Sequence, residues 1–450
     1  MSEQAPRVAV VGAGLAGLAA VLTLTNGGAR VEILERSRLL GGKATSFTVD
    51  GTEVDNGQHV ILGCCDEFLA FLSQLRMSGT LRMQERFEVT VLSRDRRPSR
   101  LAAAPLPAPL HLMPSFARYA HLSWPQKLRV GRALLAARLD TSPSGDMASW
   151  LRSKGQGDDE RRAFWDPFLV PALNAPLEDA AASDGLFVIR TAFLSDRGAA
   201  RIGYSTVPLA RVAEAAAARA EAVHLRTAVV SLEADGARAS SLRTDNDDRH
   251  AFDGYVLAVP PRRLAMITGA SPGLRVSGLS AFRTQPIVDV HLWYERSGPG
   301  NLLGEAGFAA LLGSPVQWVF EKAPGYLCCS LSAAGDAIAR PERELVELCD
   351  AELAAVLPAL RTAKLRRGAA TRDPEATFVP APGLRRPGPH TSLDNVMIAG
   401  AWTDTGWPAT MESAVRSGNT AAIHLLGALE RAQPRTTAAG ERAQELAGAL

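Results

Sequence analysis

The chain has 450 residues, 46% of them hydrophobic and 21% charged, with a net charge of +2. That length allows two or three domains' worth of core, and the near-neutral balance gives no global electrostatic case for nucleic acid. Five cysteines without a CxxC pair and eight scattered histidines supply neither a disulfide framework nor metal-ligand spacing; the thiols read as reduced, in a cytoplasmic protein.

Residues 7–11, RVAVV, predict a short buried strand. GAGLAG follows, with Gly12, Gly14 and Gly17 in GxGxxG spacing, then an Ala/Leu-rich helix to about Thr25 and a second strand, ARVEILER, ending at Glu35. Strand, glycine turn, helix, strand and acid make the βαβ dinucleotide fingerprint. Gly12 makes the tight turn, Gly14 lets backbone approach a pyrophosphate, and Gly17 lets helix pack on strand. The helix N-terminus attracts the phosphate charge, and Glu35 takes a ribose hydroxyl pair. These glycines also argue against reading the apolar run 8–24 as a signal peptide or membrane span.

Residues 54–63, VDNGQHVILG, place Asp55, Asn56, Gln58 and His59 around Gly57, between apolar flanks. The segment 105–139 is apolar, carries five prolines and ends in a basic helix. There Lys127, Arg129, Arg132 and Arg138 suit anionic headgroups while Leu128, Leu135 and Leu139 suit a lipid interface. Peripheral attachment to the inner face of the plasma membrane is the expectation; the competing reading is a helical cap with a solvated basic face. FWDPFLVPALN, residues 164–174, combines Trp165 and Phe168 with Asp166. Asp166 is either an acid or an N-cap before Pro167. Trp293, Phe320 and Trp407 offer further aromatic surface for an apolar channel, against the alternative of plain core.

Residues 222–236 read as a strand pair and 255–261 as a strand ending in two prolines. Near the C-terminus, Val396–Ile398 predict a strand, Gly400 a turn, and Thr410 an N-cap for a helix from Met411 to Leu426. The last residues, 430–450, are polar and Ala-rich and read as a frayed tail.

These motifs carry a resemblance. ER at 35–36, then Gly41-Gly42-Lys43, is similar to the stretch that wraps along FAD in two-dinucleotide-binding flavoproteins, with the cation near phosphate or flavin. The turn and helix at 395–429 resemble those of the flavin amine oxidase and carotenoid desaturase superfamily. There they lie against the flavin's pyrimidine edge, and a valine matching Val229 makes backbone contacts near the adenine. Relatives often carry Asp where this chain has Ala401, which leaves Thr403 or Asp404 to compensate. With DNGQHVILG, FWDPFLVPALN and GWPATMESAVRSG, nearly the full chain resembles the hydroxysqualene dehydroxylases, also called squalene-associated FAD-dependent desaturases.

The resemblance implies an α/β fold. A Rossmann-like, amine-oxidase-like FAD domain is expected from residues 1–95, 200–268 and 375–428, and a discontinuous α+β substrate domain from 96–199 and 269–374. Residues 429–450 are left as a flexible tail. It further implies FAD and reductive removal of the hydroxyl of hydroxysqualene, giving squalene for hopanoid synthesis. Departure of hydroxide requires an acid, and a hydride from reduced flavin then meets the allylic cation. Asp55 and His59 are the first candidates for the polar pair, with Asp166 as an alternative acid and Gln58 near the substrate. Two other readings stay open: a carotenoid or phytoene-type desaturase or related flavin oxidase, and a non-catalytic isoprenoid-binding protein, favoured only by Ala401. One dinucleotide fingerprint leaves the electron donor unidentified and gives no reason to expect a dedicated NAD(P)H domain.

Overall fold

The computed structural model describes residues 5–49, 51–295 and 301–432. Distant parts of the chain meet in one five-stranded sheet, ordered Ala222–Leu225, Arg30–Glu35, Arg7–Val11, Gly254–Leu257, Val396–Ile398. Every neighbouring pair is parallel. The RVAVV strand is nearly all apolar because both faces are covered. Val8 and Val10 pack on a helical layer that includes Leu15–Asn26 and Met411–Ala432. Ala9 and Val11 face a small antiparallel sheet built on Val229–Asp235 and Arg238–Thr244. The period of two along the strand sends alternate residues to the two layers. Both strands expected at 222–236 form, but they join different sheets rather than pair with each other.

A second, seven-stranded sheet runs Leu365–Phe378, Thr284–Tyr294, Tyr326–Leu331, Trp318–Ala323, Phe308–Leu311, Glu88–Leu92, Ser99–Ala102. Its two longest strands are antiparallel, with a register shift between Gln285 and Ile287. One face packs on the helical region containing Trp124–Leu139 and Asp166–Leu173. The other packs on the Glu342–Val356 helix. The Glu88–Leu92 strand belongs to this sheet although it falls inside the expected 1–95 segment, and the Leu365–Phe378 strand crosses the expected boundary at 374–375. Side-chain burial chose these memberships, not position along the chain.

The Met411–Ala432 helix begins where Thr410 predicts, with the Ser413 amide donating to Thr410 Oγ1 at 3.2 Å. It runs past Leu426, so Leu429–Ala432 are helical and not the start of a tail; residues 433–450 lie outside the described residues. Gly418 explains how closely this helix docks on Leu15–Asn26: a Cβ there would sit 2.0 Å from the Ala16 carbonyl oxygen.

Candidate active site

A cavity of about 1100 Å³ is lined by residues of both large sheets. One end is made of backbone. Gly12 has φ +103°, and a Cβ there would lie 2.5 Å from the Ala258 carbonyl oxygen. Gly17 lies beneath, where a Cβ would meet the Gly12 carbonyl at 2.0 Å. Gly14 differs: a Cβ there would meet nothing nearer than Gly42 Cα at 4.0 Å, so it would project into ligand space. The Gly41 amide donates to the Ala13 carbonyl at 2.9 Å and zips the two glycine turns together. Buried Glu35 accepts from the Ala13 and Ser37 amides, each at 2.7 Å. Arg36, Gly42, Lys43 and Val229 all line the cavity. Lys43 Nζ is already paired with Asp373 at 3.0 Å, and the Val229 carbonyl accepts from Arg263 at 2.9 Å. Thr45 Oγ1, on the wall just past Lys43, is buried without a partner. An orphaned hydroxyl beside a glycine cradle fits a polar ligand that completes it.

The C-terminal turn closes the same space. Gly400, Ala401 and Met411 line it. The Gly400 amide donates to Ser417 Oγ at 2.7 Å. Thr403 does not face the cavity: its hydroxyl is buried against the Gly400 carbonyl and Ser417. Asp404 is exposed, and it too lies off the lining. Neither therefore compensates for Ala401. What organises the turn is a residue sequence reasoning missed. Arg386 inserts its half-buried guanidinium and donates to the carbonyls of Ala401 at 2.8 Å, Trp402 at 3.3 Å and Trp407 at 2.5 Å, and also to that of Thr403. Burial lowers its pKa. One of two adjacent arginines in a Gly/Pro-rich loop gives no local signal of such a role.

The polar knot at 54–63 is a loop between two strands, Thr52–Asp55 and Ile61–Leu62. Asn56, Gly57, Gln58, His59 and Val60 all line the cavity. Asp55 points the other way. It accepts from Ser46 Oγ at 2.7 Å and the Leu209 amide at 2.9 Å, with Lys322 at 3.8 Å, and so caps the Leu209–Ala217 helix. The expected Asp55–His59 pair is not brought together. His59 Nδ1 is 2.8 Å from the Gly57 carbonyl. A carbonyl only accepts, so Nδ1 carries the proton and Nε2 of the neutral ring is an acceptor. Burial pushes the imidazole pKa down, which keeps it neutral. Facing this loop is Asp289, on the Thr284–Tyr294 strand and 1% exposed.

The far end is apolar. Phe168, Phe320 and Trp407 line the cavity, together with Phe87, Phe193 and Trp318. Phe168 meets Phe193 edge-on at 5.6 Å and Trp318 at 6.1 Å. Trp165 is not part of this wall: it is core, donating from Nε1 to Gln156 at 2.9 Å. Trp293 is also elsewhere, stacked on Tyr326 at 4.7 Å beneath Arg367. Asp166 sits off the cavity with Arg161 at 3.5 Å. It is no N-cap either, because helical backbone continues through it from Asp158 to Leu173. Trp165 and Phe168 are three residues apart and so lie near one face of the helix, yet only Phe168 reaches the cavity, while Trp165 is buried in the core.

The sequence profile of the flavin containing amine oxidoreductase family matches residues 15–426. The chain belongs to this family. A hydroxysqualene dehydroxylase of Rhodopseudomonas palustris is 30% identical over 94% of this chain and 98% of its own length. Another, from Zymomonas mobilis, is 27% identical over 92% and 97%. A 15-cis-phytoene desaturase of Synechococcus elongatus is 23% identical over 96% and 98%. A putrescine oxidase structure superposes with a TM-score of 0.70 over 94% of this chain and 99% of its own, at 18% identity, which shows the shared fold. This family member is an oxidoreductase with FAD as its cofactor, and the glycine cradle, Glu35 and the unpartnered Thr45 hydroxyl fit that group.

Proposed function

We propose that this flavoenzyme reductively removes the hydroxyl of hydroxysqualene to give squalene, a precursor for hopanoid synthesis. What carries the reading is full-length similarity to hydroxysqualene dehydroxylases combined with a cavity that changes from backbone donors, through a polar loop, to an aromatic wall. In its reduced form FAD supplies a hydride. Gly12, Gly14 and the helix N-terminus at Leu15 would hold the pyrophosphate, Glu35 the ribose and Val229 the adenine side. Gly42, Lys43 and Arg36 would also contact the cofactor. Gly400 and Met411 would receive the ring system at the start of a helix whose dipole favours negative charge. Phe168, Phe320, Trp318 and Trp407 give the isoprenoid chain an apolar, electron-rich wall that also steadies a cation. Gln58 and His59 Nε2 offer polar contacts where the hydroxyl lies.

The test is anaerobic incubation of FAD-loaded protein with hydroxysqualene, with the flavin chemically reduced or oxidised, and products read by gas chromatography–mass spectrometry. Squalene appearing only with reduced flavin is the expected result. Absence of squalene with FAD bound sinks the reading. The phytoene desaturase similarity makes a desaturase the second reading, for which the oxidised arm with a carotenoid precursor is the assay.

We also propose that the enzyme takes its substrate from an anionic lipid surface. No described helix is long and apolar enough to cross a membrane. Trp124, Leu128, Leu135 and Leu139 on one helix are nonetheless 59–68% exposed, and Leu106, Leu110 and Met113 are exposed in the segment before it. Spacings of four, seven and four residues put the helical set on one stripe. Of the four expected cations, Lys127 is folded back onto the Ala117 carbonyl at 2.7 Å and Arg129 onto Glu160 at 2.8 Å. Arg132 and Arg138 remain exposed beside the leucines for headgroups. Flotation with anionic vesicles tests this, and no association overturns it.

A further inference from the structure

Removing a hydroxyl requires a proton at the leaving oxygen, because hydroxide departs poorly. None of the carboxylates singled out from sequence is placed to give one. Asp55 caps a helix and Asp166 lies off the cavity. His59 has its one proton engaged by the Gly57 carbonyl. Other carboxylates on the cavity wall are already held. Glu412 accepts from Arg416 and the Phe68 amide, Asp373 pairs with Lys43, Glu375 pairs with Arg262, and Glu35 accepts from amides at the nucleotide end.

Asp289 is different. It stands on the wall opposite the Gly57–His59 loop, and a Cβ at Gly57 would lie 3.2 Å from its Oδ2. The Gln58 amide and the Ser330 hydroxyl act on it as hydrogen-bond donors, and Cys328 Sγ is 4.0 Å away. Among the described residues it has no cation within ion-pair distance; Lys322, the nearest named, is paired with Asp55. The structure thus holds a carboxyl in the cavity, next to the polar loop, with no ion-pair partner among the described residues and only hydrogen bonds and the more distant Lys322 to favour its anion.

We propose that Asp289 is the proton donor to the departing hydroxyl. This rests on the dehydroxylase reading. The Asp289 proton moves to the hydroxyl oxygen, and the C–O bond breaks with its electron pair leaving on water. The allylic cation accepts a hydride from reduced flavin, which an external two-electron donor must regenerate. Asp289, left as carboxylate, regains a proton from solvent before the next turnover. Burial supports the assignment by pushing this carboxyl up to about 6, near the working range of a general acid. The titratable groups around it are His59 on the loop, the more distant Asp55 with its partner Lys322 from the Trp318–Ala323 strand, and Cys328 and Tyr326 from the Tyr326–Leu331 strand. Of these, Lys322 favours the carboxylate and Asp55 opposes it.

The experiment compares wild type with Asp289→Asn, which keeps shape and an acceptor for the Gln58 amide. Both are assayed on hydroxysqualene and on the matching allylic fluoride, whose leaving group needs far less protonation. FAD retention is read from the visible spectrum. Asp289→Asn is expected to hold FAD and to lose about 10²–10⁴-fold in kcat on the alcohol with KM little changed. It should recover most activity on the fluoride. Wild-type kcat should fall as pH rises above about 6, and the residual activity of the variant should not follow that profile. Unchanged turnover of the alcohol by Asp289→Asn overturns the assignment. So does an equal loss on alcohol and fluoride, which would mark Asp289 as a residue that only positions the loop. Wild type that reduces neither compound with FAD bound removes the dehydroxylase reading, and the assignment falls with it.

Discussion

The two ends of the cavity are built on different plans. The nucleotide end is shaped by backbone: Gly12, Gly14, Gly41 and Gly42 create a cradle by lacking side chains, and the positive φ of Gly12, Gly41 and Gly42 is a local property of the two turns. The substrate end is shaped by side chains from strands and helices far apart in sequence, with Phe168, Asp289, Phe320 and Trp407 converging from four segments. A site made of absences tolerates almost no substitution. A site made of side chains should respond in graded, separable ways.

The largest expected effect tests the first half. Gly12→Val places a Cβ 2.5 Å from the Ala258 carbonyl at φ +103°, a strained backbone costing about 1–3 kcal/mol before the clash is counted. The protein should emerge from gel filtration without flavin absorbance; a yellow Gly12→Val protein would break the comparison. Arg386→Met asks whether side chains also matter at the cofactor's far end. It leaves the carbonyls of Trp402 and Trp407 without their donor, while Ala401 keeps Ser413, so unfolding in urea should show a loss of about 2 kcal/mol or more, with weaker flavin retention. Equal stability would mean that the turn holds itself.

Asp289 sharpens the other half through pH. Its folded-state pKa of about 6 lies above the usual carboxyl value near 3.9. The folded state therefore binds more protons, and this group's effect on stability worsens as pH rises from about 4 to 6, by about 3 kcal/mol in all. Asp289→Asn removes that burden, so its stability relative to wild type should improve between pH 4 and pH 7. His291 works in the opposite sense. Burial lowers its pKa to about 4, so its contribution is present above the ordinary histidine value and is lost as pH falls. Only the difference between variant and wild type isolates Asp289. A difference that does not vary with pH would mean the carboxyl is ionised throughout.

Smaller effects follow at the periphery. Leu128→Glu with Leu135→Glu removes two exposed leucines, each worth about 1.5–3 kcal/mol when buried. Vesicle binding should fall at least tenfold on that scale while turnover of detergent-dispersed substrate holds. Asp166→Asn should leave turnover unchanged, because that carboxyl faces Arg161 and not the cavity. A large loss there would restore it as an acid.

Much of this molecule was readable in its residues. Glycine spacing at 12–17 and 41–42 specifies the cofactor cradle, since a turn requiring positive φ or contact closer than a Cβ permits leaves one residue type. Strand and helix periods around 7–35 and 396–426 specify three of the five strands of the parallel sheet and the helices that cover them. The acids were another matter. Asp55, Asp166 and Asp289 are alike as letters, and the first two stood in the more conspicuous motifs. Their roles depend on which way a strand's alternation or a helix's turn aims each carboxyl, and on what the fold sets opposite: the N-terminus of a helix 154 residues on for Asp55, the nearby Arg161 for Asp166, the distant Gly57 loop for Asp289. Arg386 likewise takes its function from carbonyls that another segment presents. Backbone geometry is written locally and so survives in sequence; the electrostatic environment of a side chain is a sum over distant neighbours, and only the tertiary structure performs it.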